Sequence, residues 1–212
     1  QPDYDIAEQV AWDMIQFDPD LEDLARHTDA VAFGSLAQRD AQSRNTIYRF
    51  LDSTKPRVIR LFDVNLRQNF YDRFVIERSL ERASVVKLNE DELPVLAEMF
   101  HIGGETDEQV QKLIKKYELK SVALTRGAQG TALYTGGQVY TGEPVSYDAA
   151  AHADAVGAGD ACAAALLVAM VTRRSPQEAV DLANRVGAYV ASHPGATPTL
   201  PEELTSLAAG QG

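Results

Sequence analysis

The stretch DAVGAGDACAAALLVAMV, residues 154–171, decides the fold. A glycine loop and an aspartate stand directly before an almost unbroken apolar run, which is typical of a loop that opens a buried helix. The first N–H groups of a helix have no partner within the helix, and the helix dipole adds partial positive charge there. Glycines let a ligand approach such N–H groups closely. The stretch therefore predicts an anion-binding loop at Gly157, Ala158 and Gly159, followed by a helix that is buried on every face.

Asp160 falls in the first turn of that predicted helix, beside the anion loop. A carboxylate there can take part in chemistry, and it can equally serve only to favour the helix dipole. Two other phosphate motifs do not fit the sequence. It contains no glycine–lysine pair, which a Walker loop requires, and Cys162 stands where a dinucleotide-binding loop needs its third glycine. A dinucleotide-dependent oxidoreductase is therefore disfavoured.

Around this stretch, short β-type runs alternate with helical patterns. Strands are predicted at residues 29–35, 57–65, 83–89 and 121–127, and a hairpin at 130–142. Helices are predicted at residues 37–51, 72–82, 90–100, 107–117, 158–173, 176–192 and 201–208. Because strands and helices alternate, we expect an α/β fold with a mostly parallel sheet flanked by helices. Ligands of such sheets bind beyond the carboxyl ends of the strands.

The composition limits the classes of partner. The 212 residues include 20 basic and 31 acidic side chains, which gives a formal net charge of −11. This charge argues against nucleic acid or an anionic membrane as a partner, but it leaves room for a small anion held by the main chain. The single cysteine, Cys162, cannot form an internal disulfide, so we expect a reducing, cytoplasmic setting.

Four ordered motifs together resemble the ribokinase-like (PfkB-type) carbohydrate kinases, and especially their fructokinase-like members. The motifs are DVNLR (63–67), KLNEDE (87–92), TRGAQG (125–130) and DAVGAGD (154–160). The resemblance covers nearly the whole chain and implies the ribokinase-like fold, with ATP and Mg²⁺ as cofactors and a sugar hydroxyl as the acceptor. Fructose is the leading substrate. A ketodeoxygluconate or ribose kinase, and a non-catalytic nucleotide- or sugar-binding module derived from this family, stay open as alternatives.

The resemblance also implies a role for each motif. Asp160 is the catalytic base, and the main-chain N–H groups of the glycine loop hold the developing charge. Asn65 and Arg67 face the substrate or its phosphate, while an ion pair between Asp63 and Arg67 is the competing structural interpretation. The nucleotide is contacted by residues of TRGAQG and of the penultimate long helix, namely Thr125, Gly127, Gly130 and Asn184.

Two cation sites follow from the same resemblance. Asn89 and Glu92 match the N-x-x-E element of the family and act on Mg²⁺ through metal-bound water, although the same residues also make a good helix start. Many members bind a monovalent cation such as K⁺ beside the anion loop, where this sequence has Ala155 in place of the usual threonine. The matching positions are Asp154, the carbonyl groups of Val156, Val190, His193 and Gly195, and Thr199 nearby.

Residues 1–212 are predicted to form one α/β kinase domain that corresponds to the C-terminal two-thirds of the family fold. The early strands, the small β lid and the early sugar-binding aspartate of relatives have no counterpart in this sequence. We therefore expect the chain to hold the nucleotide and catalytic side of the fold and to lack much of the sugar-recognition side. Because the lid of relatives often forms a dimer interface, a homodimer is expected of the full-length protein.

Overall fold

A six-stranded sheet forms the centre of the computed structural model, which describes residues 6–209, with side chains up to residue 206. The first five and last three residues of the predicted domain lie outside this range. Strands β1 to β4 are parallel, and the hairpin of β5 and β6 extends the sheet with antiparallel pairing. The strands are β1 (Ala30–Gly34), β2 (Ile59–Asp63), β3 (Val85–Asn89), β4 (Ser121–Thr125), β5 (Thr131–Thr135) and β6 (Gln138–Thr141). The predicted α/β fold with a mostly parallel sheet is confirmed.

Eight α-helices accompany the sheet in the described residues. They are α1 (Pro19–His27), α2 (Ala41–Ser53), α3 (Arg73–Arg82), α4 (Glu92–Met99), α5 (Thr106–Tyr117), α6 (Ala158–Val171), α7 (Pro176–Ala191) and α8 (Glu202–Ala209). Seven of them were predicted, with ends that differ by a few residues. The sequence analysis missed α1, although Asp18 accepts a hydrogen bond from the Leu21 N–H and Pro19 occupies the first helical position.

Helices cover both faces of the sheet because neighbouring strand residues point to opposite sides. On one face, Phe62 and Val86 pack with residues of α3, α4 and α5. On the other face, Leu61 and Val85 pack with residues of α6 and α7 and with Leu204 of α8. Strands β3, β4 and β5 are buried on both faces, which explains why they are apolar runs rather than alternating patterns.

The prediction that α6 is buried on every face is wrong for one side of the helix. Cys162, Leu166 and Ala169 are buried against the sheet, whereas Val168 and Val171 on the opposite side are 38% and 45% exposed. All faces of this helix are apolar in sequence, so periodicity could not identify the exposed one. Across the described residues, the helices also lack the combination of length and apolarity that crossing a membrane requires.

Candidate active site

The glycine loop makes a tight left-handed turn at the start of α6. Gly157 is the N-cap of α6 and has a left-handed backbone with φ of 80°. A Cβ atom on Gly157 would lie 2.4 Å from the carbonyl oxygen of Ala196, so only glycine fits here. The Ala158 N–H donates to the Ala155 carbonyl over 3.3 Å. The N–H groups of Gly159 and Asp160 follow in the first turn, where the helix itself provides no acceptor.

Asp160 lies in the first turn of α6, as predicted, and its side chain is exposed. Among residues 6–206, whose side chains the structure describes, none donates a hydrogen bond to its carboxylate. Its charge acts on the neighbouring Asp63 carboxyl, which places the two acids at the same end of the sheet. The Asp160 carboxylate is therefore accessible to a ligand.

A cavity of about 460 Å³ lies beside the loop, within the size range of small-molecule sites. The structure brings the predicted nucleotide residues together here, since Thr125, Gly127, Gly130 and Asn184 all line it. Ala158 and Gly159 of the anion loop line the same cavity. The sequence analysis missed several residues that line the cavity. Small residues that recur at one-turn spacing in α7 could have indicated some of them. The missed residues include Tyr147, Ala183, Gly187, Ala191 and Ser192.

Asn184, which lines this cavity, has an unused acceptor. The residue is 7% exposed, and its Nδ2 donates to the carbonyl oxygen of Glu143 over 3.0 Å. Its Oδ1 is buried and has no hydrogen-bond partner among the described residues. Gly130 packs so closely that a Cβ atom there would lie 2.6 Å from Asn184 Nδ2. A ligand that donates a hydrogen bond to Oδ1 would remove the cost of leaving a buried acceptor unpaired.

A second cavity, of about 680 Å³, lies on the outer side of α6. Asp160 stands at its edge, and Ala164, Val168 and Val190 contribute to its wall. This lining is largely apolar, so it does not suit a sugar, whose hydroxyl groups need polar partners.

A buried ion pair that the sequence analysis missed joins the carboxyl end of β2 to the middle of β3. Lys87 Nζ donates to both carboxylate oxygens of Asp63, over 3.0 and 2.8 Å, and the two side chains are 8% and 12% exposed. Burial lowers the pKa of Lys87, but the Asp63 charge and hydrogen bonds raise that pKa by more, to above its usual value. The Lys87 ammonium therefore stays charged at neutral pH.

The competing interpretation of an Asp63–Arg67 ion pair is wrong, because Asp63 pairs with Lys87. Arg67 is half-buried, and its Nη1 donates to the carbonyl oxygen of Leu66 over 3.0 Å. Its charge still acts on Asp63, so Arg67 lies near the same strand end. Asn65, which lies between Asp63 and Arg67 in the chain, has a left-handed backbone with φ of 42°. The structure thus brings Asn65 and Arg67 to the same end of the sheet as Asp160.

Asn89 and Glu92 form a compact turn after β3. The two Glu92 oxygens accept the N–H groups of Leu66 and Asn89, each over 2.9 Å, and Asn89 Oδ1 accepts the N–H groups of Asp91 and Glu92. Burial raises the pKa of Glu92, while the two N–H groups oppose that rise. Each Glu92 oxygen keeps one lone pair after accepting one N–H, whereas Asn89 Oδ1 already accepts two. The set therefore fits contact with metal-bound water better than direct ligation.

Three residues of the predicted monovalent-cation site, Val156, His193 and Gly195, contact Asp154. Its carboxylate accepts the Val156 N–H over 2.9 Å and the Gly195 N–H over 3.1 Å, and its own N–H donates to the His193 carbonyl over 3.4 Å. The Val190 carbonyl accepts the His193 N–H at the end of α7. The Thr199 carbonyl accepts the Tyr189 hydroxyl. Within the described residues, no group of three or more acidic, histidine or cysteine side chains could hold a metal ion.

Comparison with known proteins gives a family match and named relatives. The chain matches the family described as pfkB family carbohydrate kinase over residues 6–203. It is 32% identical to a fructokinase from Escherichia coli over 160 residues, which are 68% of this chain and 49% of that protein. It is 29% identical to a ribokinase from Arabidopsis thaliana over 207 residues, which are 95% of this chain and 50% of that protein.

A solved structure shares the arrangement of strands and helices. The crystal structure of fructokinase from Vibrio cholerae O395, in a form with bound fructose, ADP and calcium ion, matches with a TM-score of 0.70 and 26% identity. The match covers 85% of this chain and 60% of that chain. The chain spans about half the length of the curated relatives described above.

Proposed function

Because the chain belongs to the pfkB family of carbohydrate kinases, we propose that it carries the nucleotide-binding and catalytic part of an ATP-dependent sugar kinase. The observation that carries this proposal is the position of Asp160. Its exposed carboxylate follows directly on the glycine loop, and Gly159 of that loop lines the cavity beside it. A base and an anion site thus stand next to each other, as phosphoryl transfer to a hydroxyl requires.

In the proposed reaction, Asp160 accepts the proton of a sugar hydroxyl while the hydroxyl oxygen attacks the γ-phosphorus of ATP. A new bond forms between that oxygen and phosphorus, and the bond from the γ-phosphorus to the bridging oxygen of ADP breaks. The N–H groups of Gly159 and Asp160, at the positive end of α6, stabilise the charge that develops on the phosphoryl oxygens. Most of the catalysis then comes from positioning and electrostatics.

We assign the 460 Å³ cavity to the nucleoside part of ATP. Thr125, Gly127 and Gly130 approach the nucleotide along the end of β4 and the following turn, while Asn184 Oδ1 accepts a hydrogen bond from an amino group of the base. This assignment accounts for the unpaired acceptor on Asn184. It also uses glycine where the backbone must come close to a ligand.

The cation sites remain proposals that rest on the arrangement of donors. Asn89 and Glu92 would hold Mg²⁺ through its bound water, and Mg²⁺ neutralises charge on the phosphates when it is bound. Asp154 and the carbonyl groups near it, from Val156, Val190, His193 and Gly195, would hold K⁺ with Thr199 close by. A flat activity profile against added KCl would contradict the K⁺ site.

Fructose is the proposed acceptor, because the matched relatives include fructokinases at up to 32% identity. Ribose and ketodeoxygluconate are the alternatives within the same class. The proposed partners are therefore ATP and a small sugar in a reducing, cytoplasmic setting, and a homodimer is proposed for the full-length protein.

A non-catalytic nucleotide-binding module is the second candidate. It is favoured by the apolar lining of the 680 Å³ cavity beside Asp160, which provides few groups to hold a sugar.

One experiment separates the two candidates. ATP binding is measured by calorimetry, and ADP formation is then followed with fructose, ribose and ketodeoxygluconate, with Asp160→Asn as the matched control. We expect ATP binding and sugar-stimulated ADP formation that the control lacks. ATP binding without stimulation by any sugar would favour the module. Absence of ATP binding would overturn both candidates.

A further inference from the structure

The buried Lys87 lies directly beneath the anion loop. A Cβ atom placed on Gly159 would be 3.3 Å from Lys87 Nζ, whereas the Asp63 carboxylate oxygens lie more than 4 Å from that position. The charge of Lys87 also acts on Cys162, which is one helical turn after Gly159 and faces the sheet. The ammonium of the Asp63–Lys87 pair therefore faces the first turn of α6 from the side of the sheet.

The contact between Lys87 and the loop depends on two features of the chain. Asp63 and Lys87 are directly paired in the register of β2 and β3, so the carboxylate fixes the ammonium at the carboxyl end of the sheet. Gly159 has no side chain, so the ammonium can approach the backbone of the loop closely. Both partners are almost fully buried, and water therefore screens the charge only weakly.

We propose that Lys87 is a positioning residue for the bound phosphates: its ammonium, held by Asp63 under Gly159, adds positive charge to the anion loop without touching the ligand. This proposal rests on the proposed function, because it assumes that the loop binds the phosphates of ATP. It explains how a chain with a net charge of −11 attracts a polyanion at one point. It also explains why a lysine is buried where an apolar residue would pack at lower cost.

The alternative is that the pair only stabilises the fold, and single and double variants distinguish the two roles. If the pair has only a structural role, Lys87→Met and Asp63→Asn should lower the free energy of unfolding by equal amounts. The double variant should then recover that stability. If the Lys87 charge acts on the phosphates, the two single variants should differ in their affinity for phosphates. Lys87→Met should lose affinity for phosphates, and the double variant should stay weak in binding even where its stability recovers. Asp63→Asn should lose less affinity than Lys87→Met because the lysine remains, although burial then lowers the pKa of its ammonium with less opposition.

The experiment measures equilibrium binding of two probes, ATP and adenosine, to each variant. We expect Lys87→Met and the double variant to bind ATP roughly 10- to 100-fold more weakly, while adenosine, which has no phosphate, binds with unchanged affinity. Arg39→Met is the matched control, because Arg39 forms a similarly buried ion pair with Asp13 outside the site. It should lower the thermal midpoint and leave both affinities unchanged.

Each outcome supports or overturns a defined statement. Failure of the wild-type chain to bind ATP overturns the proposed function, and this inference with it. If Lys87→Met and the double variant bind ATP as tightly as the wild type does, the proposed role of Lys87 is overturned. The proposed function is not affected by that result. Equal loss of ATP affinity in Asp63→Asn and Lys87→Met, or a parallel loss of adenosine, would show that the pair has only a structural role. If Lys87→Met does not fold, the double variant carries the same test.

Discussion

The two faces of α6 have almost the same apolar composition and opposite environments. The inner face, with Cys162 and Leu166, is buried against the sheet, and the ammonium of Lys87 lies under its first turn. The outer face begins with the exposed Asp160 and continues through Val168, which is 38% exposed. The inner face therefore fixes the helix in place, and the outer face presents the carboxylate. This division lets a rigid element carry a carboxylate without burying it.

The largest expected effect is on the outer face, at Asp160. Asparagine has nearly the same size as aspartate but cannot accept the proton of an attacking hydroxyl. We expect Asp160→Asn to lower turnover roughly 10²- to 10⁴-fold, measured with the sugar that gives the highest wild-type rate. Because the side chain is exposed and no described residue donates to it, the thermal midpoint should stay unchanged. A variant that keeps most of the wild-type turnover would contradict the assignment of Asp160 as the base.

The comparison of the two faces is tested by a matched pair of truncations. Leu166→Ala removes a fully buried side chain and should lower the free energy of unfolding by about 2–5 kcal/mol. Val168→Ala removes methyl groups from the exposed side of the same helix and should cost less than about 1 kcal/mol. Urea unfolding curves of the two variants measure both free-energy changes. Similar costs at the two positions would mean that the outer face is also covered in solution.

The sequence predicts the strands and most helices because their patterns are local. A run such as RVIRLFDVN needs no knowledge of its neighbours to be identified as a strand. The burial of α6 is different, because an all-apolar helix carries no information about which side the rest of the chain covers. The missed helix α1 was a local failure, since Asp18 and Pro19 were sufficient to indicate its start.

The site was only partly predictable for the same physical reason. Asp160, Thr125 and Asn89 belong to motifs that can be identified along the chain. The role of Lys87 depends on its pairing with Asp63, which is 24 residues away in sequence and becomes its neighbour through strand register. The free acceptor on Asn184 likewise depends on contacts with Glu143, 41 residues away. Non-local contacts of this kind appear only once the sheet and helices are assembled.

A moderate effect is expected at Glu92, which links the turn after β3 to the chain after β2. In Glu92→Gln, one of the N–H groups of Leu66 and Asn89 loses its acceptor, because the amide NH₂ cannot accept a hydrogen bond. We expect a loss of about 1–3 kcal/mol in the free energy of unfolding, measured by urea denaturation. Asp91→Asn on the same turn is exposed and provides a control that should remain close to wild type.

The loss in the free energy of unfolding that Glu92→Gln causes should also depend on pH. Burial raises the pKa of Glu92 in the folded chain, so the folded state binds its proton more tightly than the unfolded chain does. This contribution to stability is present at low pH and is lost as the pH rises through the folded-state pKa. Glutamine has no such proton, so the stability difference between wild type and variant should narrow as the pH is raised from about 4 to 8. A difference that widens over this range would contradict the raised pKa.

The smallest expected effect concerns Asn184, which lines the 460 Å³ cavity proposed for the nucleoside. If its Oδ1 accepts a hydrogen bond from the base, the wild type should bind ATP more tightly than inosine triphosphate (ITP). The base of ITP has a carbonyl group where adenine has an amino group. Asn184→Leu should lower ATP affinity by roughly 3- to 10-fold and abolish the preference, since one neutral hydrogen bond has that value. Calorimetric titration with both nucleotides measures the two affinities. A preference that survives in Asn184→Leu would place base recognition elsewhere in the cavity, while the phosphates would still be held at the first turn of α6.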